Sequence, residues 1–300
     1  MKVMITGACG FVARGLIREL EERGHELVLL DRVKPEDATV FWPGSAERVK
    51  SPLVTKWPYV TAEISDPDAV LGAAQGMDAV VHLAAILTGY ADQGAAIMHA
   101  NVCGTYTVLD AARRAGVSRF LCASSINAFG TFYWRISGKP VDYRGMPLDE
   151  TFDPVPEDPY SLSKLCNEHT CAAFSRAYGI TTAALRFAGI WNSDQYAKMR
   201  AAPLPATEAW SDDLFQWAHL SDVVIGIRRA LEEPNLPLFG AYTLAAADTR
   251  CPEETMDLLR RFKPDLAQNL TAPLPGRTAL LSIRKAQETF GYAPQYRLGD

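Results

Sequence analysis

From its first residues to about residue 190 the chain repeats one pattern, a short run of apolar and often β-branched residues followed by a longer amphipathic stretch. Runs of that length suit strands buried on both faces, and the amphipathic stretches suit the helices that cover them. The pattern predicts strands over 2–6, 26–31, 59–63, 79–83, 119–123 and 182–187, with helices over 12–23, 67–74, 95–115 and 161–178. Alternation of this kind builds a parallel sheet, and right-handed crossovers wind both of its faces. The fold class is therefore α/β, a doubly wound parallel sheet. Past Trp191 the order weakens, so residues 189–216 with 244–300 are expected to form a small C-terminal substrate domain. Residues 1–188 with 217–243 form the main domain, to which 219–232 returns as a helix. The stretch 41–57, with Trp42, Pro43, Pro52 and Trp57, reads as an insertion after the second strand, and 138–159 reads as a long loop.

The first predicted strand runs into Thr6-Gly7-Ala8-Cys9-Gly10-Phe11-Val12-Ala13 and then into a helix. Small residues there let a pyrophosphate reach the backbone at the helix N-terminus, so Gly7, Gly10, Phe11 and Val12 are candidate cofactor residues. The spacing, glycine to glycine to alanine at intervals of three, differs from the standard dinucleotide fingerprint, and a plain strand-to-helix turn would also account for it. A second signal comes from Asp31, about twenty residues on at the end of the second strand, where a carboxylate accepts hydrogen bonds from a ribose. Its charge repels a 2′-phosphate, although the neighbouring Arg32 offsets part of that. NAD is the expected cofactor, on a Rossmann-type fold. Tyr160 and Lys164, four apart on a predicted helix, stack on one face.

Composition narrows the partners. A net charge of −5 with scattered Lys and Arg offers no field for polyanions, so nucleic acid is not expected. The opening apolar run stops at Gly7, too short for a signal peptide or a membrane span, and the expected location is the cytoplasm. Six cysteines without a CxxC pair read as reduced thiols, and five histidines without HxxxH or HExxH spacing give no metal site.

The ordered set TGACGFVA at 6–13, Asp31, EISD at 63–66, HLAA at 82–85, NVCGT at 101–105, SSINAFG at 124–130, YSLSK at 160–164, LRFAG at 185–189, HLSD at 219–222 and GYAPQY at 291–296 resembles the extended short-chain dehydrogenase/reductase family, also called the NAD-dependent epimerase/dehydratase family. The resemblance covers nearly the whole chain. It implies adenine-side contacts at Glu63 and Ile64, and cofactor contacts at Leu83, Ala84, Ala85, Phe187 and Ala188. It further implies a helix asparagine at Asn101, grouped with the catalytic residues although its role in extended members is mostly structural, and a catalytic Ser125, with Ser124 supporting the strand end. Tyr160 would be the acid/base and Lys164 its tuner and a ribose contact. Substrate contacts would fall at Leu87, Ser125, Asn127, Tyr160 and Ala188. Bringing a tyrosine from a pKa near 10 to about 7 takes roughly 4 kcal/mol of phenolate stabilisation, assigned to Lys164 and the nicotinamide charge together. Neither His82 nor His219 is needed as a base, while Trp191, Trp210 and Trp217 are candidates for the pocket wall, with core packing the expected role of at least one of them.

Against the family pattern, Ile126 and Asn127 stand where dehydratases carry an acid pair, and no arginine-bearing glycine-rich segment follows the LR strand. The shortened region is similar to that of uronate dehydrogenases, in which a basic residue holds the substrate carboxylate; Lys198 or Arg200 would take that part here, or would be ordinary exposed helix charges. The expected activity is hydride transfer between NAD and a secondary alcohol or ketone of a sugar or sugar acid. The alternatives are a sugar or nucleotide-sugar epimerase working through a keto intermediate, and a non-catalytic NAD sensor or scaffold. A homodimer through the two long helices resembles family practice.

Overall fold

A computed structural model of the protein describes residues 1–40, 47–132 and 135–299. Its elements, in chain order, are β1 (Lys2–Thr6), α1 (Phe11–Glu22), β2 (Glu26–Asp31), β3 (Thr39–Val40), β4 (Val49–Lys50), β5 (Tyr59–Thr61), α2 (Pro67–Ala74) and β6 (Ala79–His82). There follow α3 (Gly94–Met98), α4 (Gly104–Arg114), β7 (Arg119–Ser125), α5 (Pro159–Tyr178), β8 (Thr181–Phe187), β9 (Ile190–Trp191) and α6 (Ser193–Arg200). The last are β10 (Ala218–His219), α7 (Leu220–Glu232), β11 (Phe239–Leu244), α8 (Thr255–Phe262), α9 (Pro264–Gln268) and α10 (Arg284–Phe290).

Seven strands form the central sheet in the order β11-β8-β7-β6-β1-β2-β5, every pairing parallel. The chain builds outward from β1 in one direction and then crosses back to β6 on its other side. That reversal opens a crevice at the C-terminal ends of β1 and β6, the place where such sheets bind ligands. Period-2 alternation sorts side chains between two cores: Val3 and Ile5 of β1 and Leu121 of β7 face one, while Met4, Phe120 and Cys122 face the other. The first core is closed by α1 packed on α7, the second by α2, α4 and α5.

All six predicted strands are present, with ends shifted by at most two residues. The seventh, β11, went unpredicted because FGAYTL carries Gly240 and mixes small with large residues; its six backbone pairings with β8 make it a strand. The helix predicted over 95–115 is instead broken by a π turn at His99–Cys103. One added residue per turn there carries Asn101 into the interior, where it is fully buried, and Gly104 lies where a β-carbon would come within 2.5 Å of Ile64. The expected insertion is a small antiparallel hairpin, β3 with β4, and its residues 41–46 lie outside the described ones. The long loop preceding α5 touches the C-terminal part of the chain through bridges of Met146 to Leu270 and Leu148 to Leu281. Among the described residues no helix is long and apolar enough to cross a membrane.

His82, the last residue of β6, is clasped between the hydroxyls of Thr6 (2.7 Å) and Thr105 (3.0 Å), and burial lowers its pKa to about 3. The folded protein therefore refuses a proton that the unfolded chain takes up as pH falls through about 6.5. Stability is full above that value and drains between pH 6.5 and about 3, by about 2 kcal/mol at pH 5. Urea unfolding at pH 8 and pH 5 is expected to show at least this loss, and His82→Gln to show less of it.

Candidate active site

The turn from β1 to α1 supplies the floor of the crevice. Gly7 holds φ at +70°, and a β-carbon on it would come within 2.7 Å of the Ala84 backbone nitrogen, so only glycine lets these two backbones approach. Gly10 caps α1 without a side-chain hydrogen bond, leaving the first N–H groups of the helix open to the cavity. The Asp31 carboxylate binds this turn to β2 by accepting from the Cys9 N–H (3.0 Å) and the Val33 N–H (3.1 Å). A carboxylate has about four acceptor directions, so these two bonds leave room for ribose hydroxyls.

A cavity of about 790 Å³ runs from Asp31, Arg32, Glu63 and Ile64 across Gly7, Gly10, Phe11 and Val12. It continues past Leu83, Ala84, Ala85 and Leu87 to Ser125, Tyr160, Lys164, Phe187 and Ala188. Residues that sequence reasoning missed also line it: Thr39, Val40 and Arg48 of the hairpin at the Asp31 end, and Ile86, Ser124 and Ile190 at the other. The hairpin residues had no motif to mark them; the unexplained insertion after β2 was the only signal.

At the far end, Ser125 closes β7 and accepts a hydrogen bond from the Asn127 N–H at 3.1 Å. Asp158 caps α5 through the Ser161 N–H (2.9 Å), which starts the helix so that Tyr160, Lys164 and Glu168 fall on one face. Tyr160 is hydrogen-bonded to Ser125, and its pKa is raised by burial to about 12, the Ser125 bond opposing that rise. Lys164 donates to the Ala123 carbonyl at 2.9 Å, its ammonium 5.5 Å from the centre of the Tyr160 ring, and burial lowers its pKa. Below them Glu168 accepts from Ser124 Oγ (2.6 Å) and holds a buried ion pair with Arg186 (2.8 Å). Ser124 thus turns to the helix and Ser125 to the tyrosine.

Residues 3–245 match the sequence pattern of the NAD dependent epimerase/dehydratase family. The chain belongs to that family. The 2-alkyl-3-oxoalkanoate reductase of Stenotrophomonas maltophilia is 30% identical over 67% of this chain and 55% of its own length. The uronate dehydrogenase of Pseudomonas putida is 27% identical over 78% of this chain and 73% of its own. Among solved structures, the UDP-glucose 4-epimerase of Thermotoga maritima superposes with a TM-score of 0.69 at 20% identity, over 99% of this chain and 95% of that one, a likeness of fold.

NAD is the cofactor of this family, and the crevice fits it. Bare backbone at Gly7 and Gly10, an open helix N-terminus and the Asp31 carboxylate stand in the order pyrophosphate and ribose require.

Four residues proposed from sequence stand outside the lining of this cavity. Asn101 has the structural role: its amide accepts from the Ile86 N–H (2.7 Å) and donates to the Ile86 carbonyl and to Ser163 Oγ (both 3.0 Å), so it positions the loop after β6 against α5. Asn127 is buried in the turn after β7. Lys198 and Arg200 sit on α6, and Arg200 lines a separate cavity beside Arg277 while donating to the Arg297 carbonyl. The three tryptophans are likewise outside it: Trp217 is fully buried and stacked on Trp191, and Trp210 packs edge-on to Phe215. Aromatic packing claimed them because nothing in their sequence spacing distinguishes a wall from a core. His219 caps α7, accepting from the Ser221 N–H at 3.2 Å.

Gly7→Ala must push the turn away from Ala84. Its NADH affinity, read by fluorescence titration, is expected to fall about a hundredfold, the equivalent of ~2.7 kcal/mol.

Proposed function

We propose that the protein is an NAD-linked dehydrogenase that moves a hydride between the cofactor and a secondary alcohol or ketone, with Tyr160 as acid and base. The observation that carries this reading is the hydrogen bond of Tyr160 to Ser125 at the reaction end of the cavity, with Lys164 directed under the same ring. When bound, NAD accepts hydride from the carbinol carbon, or NADH returns it to the carbonyl. Tyr160 takes the proton of the substrate hydroxyl in oxidation and gives it to the ketone oxygen in reduction. Ser125 turns its single O–H from Tyr160 to the same oxygen when the substrate enters between them. Lys164 spends one N–H on Ala123 and has two further donors for the cofactor's ribose.

The raised pKa of Tyr160 refines the expectation that Lys164 tunes it. Burial dominates in the protein alone, and the phenol stays protonated at neutral pH, ready as the acid of ketone reduction. Deprotonation for alcohol oxidation depends on the positive nicotinamide arriving beside it. Within this reading, residues 1–188 and 217–243 serve the cofactor, and 189–216 and 244–300 the substrate. The uronate dehydrogenase relatives support a dehydrogenase. The carboxylate anchor expected from sequence at Lys198 or Arg200 has no such support, because α6 directs Arg200 to the other cavity.

Tyr160→Phe is expected to lower turnover about 10³-fold while leaving NADH affinity unchanged. In the wild type, oxidation should rise with pH as the phenol loses its proton, and reduction should fall. Following 340 nm absorbance in both directions checks this. Wild-type turnover by the variant, or sugar epimerisation without net NADH, would overturn the reading.

A further inference from the structure

The cavity is divided in polarity along its length. Of its charged side chains, Asp31, Arg32, Arg48 and Glu63 gather at the adenosine end and Lys164 stands at the other. At the reaction end, Ser125, Tyr160 and Lys164 are flanked by Ile86, Leu87, Phe187, Ala188 and Ile190.

That hydrocarbon wall is held in place by polar groups facing away from it. The Asn101 amide grips both the N–H and the carbonyl of Ile86. Gln216 Oε1 accepts from the Gly189 N–H at 2.7 Å, and Ile190 is paired with Ala218 in the short β9–β10 sheet. The amides of Asn101 and Gln216 are therefore committed to shaping the wall. Leu87 lines the cavity yet is 71% exposed, a hydrocarbon lip that an occupant would cover. Lys164 gives one N–H to the Ala123 carbonyl and keeps its other two for the cofactor's ribose, and Arg200 stands in the second cavity with Arg277. A carboxylate or a set of ring hydroxyls brought against Ile86, Leu87 and Ile190 would lose water and gain hydrocarbon. An alkyl or ring carbon frame would gain the transfer free energy of each methylene it buries.

We infer that the substrate carries hydrocarbon around its reacting carbon: an uncharged secondary alcohol or its ketone, and not a sugar acid or a diphosphate-linked sugar. The inference rests on the dehydrogenase reading for the reaction but on Ile86, Leu87 and Ile190 for the class of substrate.

The experiment pairs binding with turnover on the protein–NAD complex. Calorimetry and 340 nm absorbance are recorded for the 2-alkanols from 2-butanol to 2-octanol, for D-galacturonate and for UDP-galactose. Affinity and kcat/KM are expected to rise about fourfold per added methylene, the equivalent of ~0.8 kcal/mol per buried CH₂. The two anions should fall about tenfold or more below 2-octanol. Leu87→Lys should flatten the alkanol series and improve D-galacturonate. A flat series in the wild type, or tighter binding of either anion than of 2-octanol, overturns the inference. Turnover of D-galacturonate would then still uphold the dehydrogenase. Graded alkanol binding without NADH would uphold the substrate class and remove the dehydrogenase reading instead.

Discussion

The crevice depends on the approach of the Gly7 backbone to that of Ala84, across the ends of two neighbouring strands, β1 and β6. Everything around the crevice is arranged to permit it. His82 fixes the end of β6 by bonding Thr6 on one side and Thr105 on the other. Asp31 ties the same turn to β2. The crevice thus exists because the strand order reverses at β1 and because one position there carries no side chain. A cofactor laid across it reaches from the carboxylate at the end of β2 to the tyrosine of α5, two groups that lie far apart in the chain.

A second arrangement sets the reaction end. Tyr160, Lys164 and Glu168 form one face of α5, and each is tied to a different point of the sheet: Ser125, the Ala123 carbonyl, and Arg186 with Ser124. Breaking a buried pair such as Glu168–Arg186 typically costs 3–5 kcal/mol, because one charge is left uncompensated. The helix is therefore locked to the ends of β7 and β8 in rotation and in height. Its price is that the tyrosine is buried, and burial opposes the phenolate. A phenol so placed holds its proton strongly at neutral pH.

Much of this was legible in the residues. Strand positions followed from apolar runs that need no partner information to be recognised, and the order of loop, acidic strand end, serine pair and Tyr/Lys helix made the family recognisable. What failed did so for identifiable reasons. Lys198 and Arg200 were read either as anchors for a substrate carboxylate or as ordinary helix charges; both sit on α6, and Arg200 lines a second cavity. Asn101 carried a motif, yet the π turn points its amide at backbone. β11 has too weak a sequence pattern to announce a strand and is made one by β8 beside it.

The sequence by itself determined the α/β class, the glycine turn, the acidic end of β2 and the Tyr160–Lys164 spacing, because each depends on local periodicity or on a few neighbouring residues. Only the tertiary structure decided which side chains share the cavity. Ile86, Ile190 and Arg48 enter it from separate segments of the chain, while Trp217 and Asn101 are drawn away into packing and backbone hydrogen bonds. Neighbourhood across a sheet is set by strand order and helix rotation, and neither is written in the spacing of residues along the chain.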